Sequence, residues 1–248
     1  MHKKFNIFFI LFFLSINLIG SSYWQQKVKY KINISFDVKN NQFSGTEEII
    51  YYNNSPDTLN KIFFHLYFNA FQPNSMMDIR SRNIIDPDRR VMDRIYNLDK
   101  DEIGYHRIKS LKQDANNLTY VIEGTILEVE LFEPIKPNDS SIFSLEFYSQ
   151  VPKQIRRSGR DNKEGIEYSM AQWFPKIAEY DRQGWHAHPY IAREFYAPWG
   201  NFDVSISINK KYVVAATGVL KSLEEYKNYN RWNFVANNVH DFVWAADP

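Results

Sequence analysis

The stretch from Tyr168 to Tyr190, YSMAQWFPKIAEYDRQGWHAHPY, concentrates side chains suited to chemistry. His186 and His188 form an H-x-H pair. On a strand, residues two apart project from one face, so both imidazoles could ligate one metal ion. Glu194, Asp181 or His240 could supply a third ligand. Pro189 favours a loop over a straight strand at this point, and the pair reads first as polar residues on a surface loop. The other histidines are His2, His65 and His106. His65 and His106 fall in predicted strands as ordinary half-buried or edge residues.

The remaining catalytic patterns are not found in the sequence. No H-E-x-x-H places two imidazoles and a general base on one helix face. Ser158 and Ser169 lack a G-x-S-x-G setting, and Gly159 and Gly165 form no phosphate-cradling loop. With no cysteine, the chain has no disulfide, thiolate metal site or thiol nucleophile. The formal net charge of +1, with acidic and basic residues interspersed, gives no steering toward nucleic acid or acidic lipid. N-x-S/T matches such as those at Asn33, Asn117 and Asn138 carry no weight in so Asn-rich a sequence.

The elements that must hold these residues are strands. Val28, Tyr30, Ile32, Ile34, Phe36 and Val38 alternate with polar residues, the signature of a half-buried strand. Lys39–Gln42 is a turn, Phe43–Tyr52 the returning strand, and residues 59–71 a third strand. Residues 76–103 lack alternation and read as a charged excursion with a short helix. Strand patterns resume at Gly104 and continue to Asp247, interrupted by a basic polar loop over 156–164. Aromatic residues make up 17% of the chain, which suits pleated half-buried surfaces. The predicted class is all-β, most simply an antiparallel β-sandwich of two sheets, saddle-like in outline.

Residues 1–22 carry Lys3 and Lys4, an apolar run from Phe5 to Ile19, then Gly20, Ser21 and Ser22. That order predicts a helical signal peptide, with export to the periplasm or exterior and a β domain over 23–248. The competing reading is an uncleaved anchor helix, but the run is too short and polar for a stable membrane span. No Cys follows the run, which argues against a lipid-anchored start.

Taken in order, the strand motifs resemble the N-terminal β domain of M1-family zinc aminopeptidases. The resemblance rests on Gly45, Ile49, Tyr51, Asn53, Asp57, Thr58, Leu59 and Leu66, on the AQWFPKIAEYD stretch, and on WGNFDVSISINKKYVVAATGVL and VHDFVWAADP. The Gln-Trp-Phe-Pro form and GWHAHPY…EFYAPWG are most similar to a Bacteroidetes-like branch. In that family a thermolysin-like domain with G-x-M-E-N and H-E-x-x-H-x18-E binds zinc. The sequence given stops at Pro248, before those motifs. The resemblance therefore implies an N-terminal domain alone, inactive by itself, without catalytic residues or metal ligands of its own. Its expected partners are the peptide N-terminus and the C-terminal catalytic domain with its Zn.

The resemblance also implies substrate-binding positions. Gln172 and Pro175 match the first and last places of a Q-x-[QE]-[PA] pattern whose polar residues hold the peptide α-amino group. Phe174 stands where the second Gln or Glu is usual, a departure that would line an apolar first subsite. The alternative role for Gln172 is an amide bonded to nearby backbone. An exposed aromatic patch is expected at Trp173, Phe174, Trp185 and Trp244. Two other functional readings stay open: a stand-alone secreted module binding peptide or glycan, and a small metal protein using His186 and His188.

Overall fold

The computed structural model describes residues 23–192 and 195–248. The predicted signal-peptide helix falls on residues outside the described ones, as does Glu194. Along the chain the strands are β1 (Lys27–Asp37), β2 (Gln42–Asn53), β3 (Leu59–His65), β4 (Tyr105–Gln113), β5 (Asn116–Asn117), β6 (Tyr120–Glu123), β7 (Ile126–Ile135), β8 (Asp139–Gln150), β9 (Gly159–Arg160), β10 (Tyr168–Met170), β11 (Lys176–Ile177), β12 (Tyr180–Asp181), β13 (Gly184–Trp185), β14 (Gly200–Asn209), β15 (Val213–Ala216), β16 (Val219–Glu225), β17 (Tyr229–Val239) and β18 (Trp244–Asp247). One short helix, α1 (Met76–Asn83), sits in the charged excursion. Its N-cap Ser75 accepts from Asp78 N at 3.2 Å, and the Asp78–Arg82 pair at 3.0 Å braces its face.

The all-β prediction holds, but the sheets are neither two nor wholly antiparallel. A large sheet runs β16-β17-β14-β1-β2-β8-β4-β5. Two four-stranded sheets, β15-β18-β10-β9 and β11-β3-β7-β6, pack on its inner face, and β12-β13 forms a small hairpin. At the centre β1 and β14 pair in parallel, Val28 opposite Gly200 through Ser35 opposite Ser207. Parallel neighbours need a long crossover, and here the smaller sheets and the 168–199 stretch supply it.

The period-two pattern of β1 is realised: Val28, Tyr30, Ile32, Ile34 and Phe36 are buried while Lys27, Lys29 and Lys31 face solvent. Phe36 packs edge-on against Tyr168 and Trp244, and Phe64 against Phe143, tying the large sheet to both smaller ones. Gly45 has a steric reason. It pairs with Phe147, and a Cβ there would lie 2.3 Å from that ring. Asn53, wholly buried, bonds the Asp57, Ile135 and Lys136 carbonyls and accepts from Ser55, organising the turn into β3. His65 and His106 are in strands as predicted, but fully inside rather than at an edge. Burial pushes both imidazoles down to about 3, so both are neutral at physiological pH.

Candidate functional site

Chain leaves β10 at Met170 and enters a strip, Gln172 to Glu179, in which every residue is buried. The strip is nearly free of regular structure, so other groups must satisfy its polar atoms. Ala171 N donates to Ser158 Oγ at 3.1 Å, Ile177 N to Tyr30 Oη at 3.0 Å, and Ala178 N to the Phe63 carbonyl at 2.9 Å. Trp173 Nε1 donates to the Phe242 carbonyl at 3.0 Å.

Gln172 takes a left-handed backbone conformation, φ +50°. Its Nε2 donates to Asp241 Oδ2 at 3.2 Å, across 69 residues of sequence. A carboxylate can only accept here, which fixes the orientation of the amide and leaves Oε1 as its acceptor end. The other Asp241 oxygen lies 3.3 Å from Lys176 Nζ, which also donates to the His240 carbonyl at 2.8 Å. Burial lowers the Lys176 ammonium pKa, and the Asp241 charge opposes that shift. Asp241 therefore links a buried cation to the Gln172 amide. Neither Lys176 nor Asp241 stands out in the sequence, since no short-range spacing marks a pair formed across the fold.

Phe174 is not placed to line a subsite. Its ring has no exposed surface and is enclosed by Tyr30, Trp173 and Phe202, with centroids 5.2–5.9 Å away. It supports the turn that carries Gln172. The exposed aromatic patch is likewise corrected: Trp173, Phe174 and Trp244 belong to the core, and Trp185 is half-buried against Tyr51, Phe63 and Tyr180. The broad rings fill the space between irregular backbone and sheet, where burial gains most. Tyr196 and Trp199, about half exposed, face solvent instead.

His186 is held by an acid, and His188 lies beside it. His186 Nε2 lies 2.8 Å from Asp181 Oδ1, and the His186 and His188 rings are 5.8 Å apart. Asp181 also accepts from Gln183 N at 2.8 Å and Tyr196 Oη at 3.1 Å. Burial raises the Asp181 pKa, but these hydrogen bonds outweigh it and hold the carboxyl below its usual range. His240 packs edge-on against Trp199, 5.9 Å between centroids. Among the described residues no group of three His, Asp or Glu is placed to hold a metal ion, and no helix is long and apolar enough to cross a membrane.

No family model and no curated protein matches the sequence. Solved structures match its fold. The chain is similar to the M1 zinc metallopeptidase of Deinococcus radiodurans, with 12% identity and a TM-score of 0.53 over 90% of this chain and 42% of that one. A two-domain M1 zinc metallopeptidase variant bound to L-tryptophan gives 13% identity and the same TM-score, over 90% and 43%. The variant bound to L-arginine gives 12%, again over 90% and 43%. The likeness falls on the N-terminal region of those enzymes. The chain thus spans less than half the length of the structures it matches. What is shared is the fold.

Proposed function

We propose that this chain is the N-terminal scaffold and substrate-lining domain of an exported, M1-type metalloaminopeptidase of the Bacteroidetes-like branch. In this reading it removes no residue by itself. It works beside a zinc-bearing catalytic domain, which supplies the metal chemistry. The residues described here offer no donor set for zinc, so no chemical step is assigned to them.

The observation that carries the reading is the orientation of Gln172 on a fold of this kind. Its Nε2 is committed to Asp241, so Oε1 can accept from a peptide α-ammonium. An acceptor fixed by its neighbours loses little freedom on binding, which favours recognition of a free N-terminus. Phe174 contributes from beneath by holding the turn. The bare aromatic interface expected of a domain parted from its catalytic partner is not found at Trp173, Phe174 and Trp244, which are core residues, so the reading rests on Gln172 and not on such a patch.

The test is binding of Ala-Ala-Ala-amide against its N-acetylated form, followed by NMR of the Gln172 side-chain amide. The free amine should bind with millimolar affinity and shift that signal. Gln172→Ala should abolish it, and Gln172→Glu should not restore it, since the new carboxylate would face Asp241 where the amide donated. Equal binding of the acetylated peptide would contradict the role.

A further inference from the structure

A second cleft of about 380 Å³ opens beside the β12–β13 hairpin, within the ~300–1,000 Å³ range of small-ligand sites. Trp24, Tyr180, Tyr196 and Trp199 are among its walls, and Glu179 and Asp181 supply its acids. Trp24 and Tyr180 stack at 6.1 Å, and Tyr196 and Trp199 are about half exposed. Aromatic faces combined with a carboxylate attract organic cations, through the ring quadrupole and through charge.

The two acids differ. Asp181 is already engaged by Gln183 N, His186 and Tyr196 Oη. Glu179 is only 7% exposed, yet among the described residues no side chain donates to its carboxylate, and the Tyr180 backbone N–H offsets only part of its burial. A carboxylate has about four acceptor sites, so most of its bonding capacity is unused. A buried acid with no cation partner among the described residues, in the wall of an aromatic cleft, is a group suited to a counter-charge brought by a ligand.

We propose that this cleft binds an alkyl-ammonium or guanidinium group, the side chain of a lysine or arginine in a peptide, with Glu179 as the counter-charge and Tyr196 and Trp199 as the aromatic walls. The site is separate from Gln172 and stands whether or not a peptide α-amine is held there. Burial, then the charge of Asp181, raises the Glu179 pKa to about 7. Affinity should therefore increase as pH rises through that value and the carboxyl ionises. Of the groups around it, burial lowers His240, Tyr51 and Tyr196 are raised and stay neutral, Asp181 is lowered, His186 is held against Asp181, and Arg182 already has an interaction of its own; Glu179→Gln separates the Glu179 ionisation from theirs.

The experiment titrates the full chain with N-acetyl-Ala-Lys-Ala-amide, N-acetyl-Ala-Arg-Ala-amide and the Nε-acetylated lysine peptide, monitored by tryptophan fluorescence at pH 6 and pH 8. Blocked N-termini remove any contribution from an α-ammonium, so failure here and failure at Gln172 are separable. Both basic peptides should bind, at least tenfold tighter than the neutral one and several-fold tighter at pH 8 than at pH 6. Glu179→Gln should weaken binding at least tenfold and flatten the pH profile. Trp199→Ala, on the surface and safe for folding, should weaken it several-fold. Basic peptides that fail to bind up to about 10 mM, bind no better than the neutral one, or keep their affinity and pH profile in Glu179→Gln would overturn the proposal.

Discussion

Strand β2 and the strip from Gln172 to Glu179 are both packed into the same core, by opposite means. In β2 burial alternates residue by residue, the backbone is paired on both sides, and one face stays in water. In the strip burial is continuous, and its polar atoms depend on distant side chains and loop carbonyls such as those of Ser158, Tyr30 and Phe242. The ladder makes β2 tolerant, since each residue shares its load with two neighbouring strands. The strip concentrates its stability in a few specific contacts, and those same contacts aim Gln172.

The contrast is sharpest for tryptophan. Trp173→Ala should cost about 3–5 kcal/mol, by cavity formation and by loss of the bond to Phe242. Trp199→Ala should stay within about 0.5 kcal/mol. Urea unfolding of the two variants checks this, and similar costs would erase the distinction. Next comes Asp241→Asn, which strands the buried Lys176 without its counter-charge. A loss of about 3 kcal/mol is expected, with most of it restored when Lys176→Met is added.

Strand burial carries its own penalty at His65. Among the described residues no side chain bonds either ring nitrogen, the His186 backbone offsets only part of the burial, and the ring stacks on Tyr67 at 5.0 Å. Its folded pKa is lowered from 6.5 to about 3, so between those values the unfolded chain binds the extra proton. Stability associated with this group is therefore present above 6.5 and lost as pH falls toward 3. His65→Phe should gain about 2 kcal/mol at pH 5 relative to its effect at pH 7.5, read from urea midpoints at both values. The smallest effect is at Glu47, which faces the core between Ile32 and Leu145 with both oxygens unpartnered. Burial raises its pKa, so its cost grows as pH rises above the unfolded value of 4.5. Glu47→Met should therefore stabilise more at pH 7 than at pH 5, read from urea midpoints at both values.

These differences explain what could be read in advance. β1, β2 and the turn after Asn53 were legible because alternation and turn chemistry are local, whereas Gly45 was marked only through the family resemblance. Gly45 makes room for Phe147, and Asn53 closes a turn. The parallel pairing of β1 with β14 was not legible, since it joins segments 172 residues apart at Val28 and Gly200. Its one local trace is Gly200, where a Cβ would meet the Val28 carbonyl oxygen at 2.7 Å. Gln172 was singled out through the family resemblance, whereas Asp241 and Lys176, which orient it, pair only through the fold. Phe174 and the tryptophans were misplaced because aromatic residues without a period look alike whether they fill a core or cover a surface.

The most direct test of the account is hydrolysis of aminoacyl-p-nitroanilides by the purified chain, with and without zinc and with o-phenanthroline. A scaffold that depends on another domain for its metal chemistry should release no p-nitroaniline above background under any of these conditions. Turnover that requires zinc and is abolished by the chelator would place the reactive centre within this chain and contradict the account.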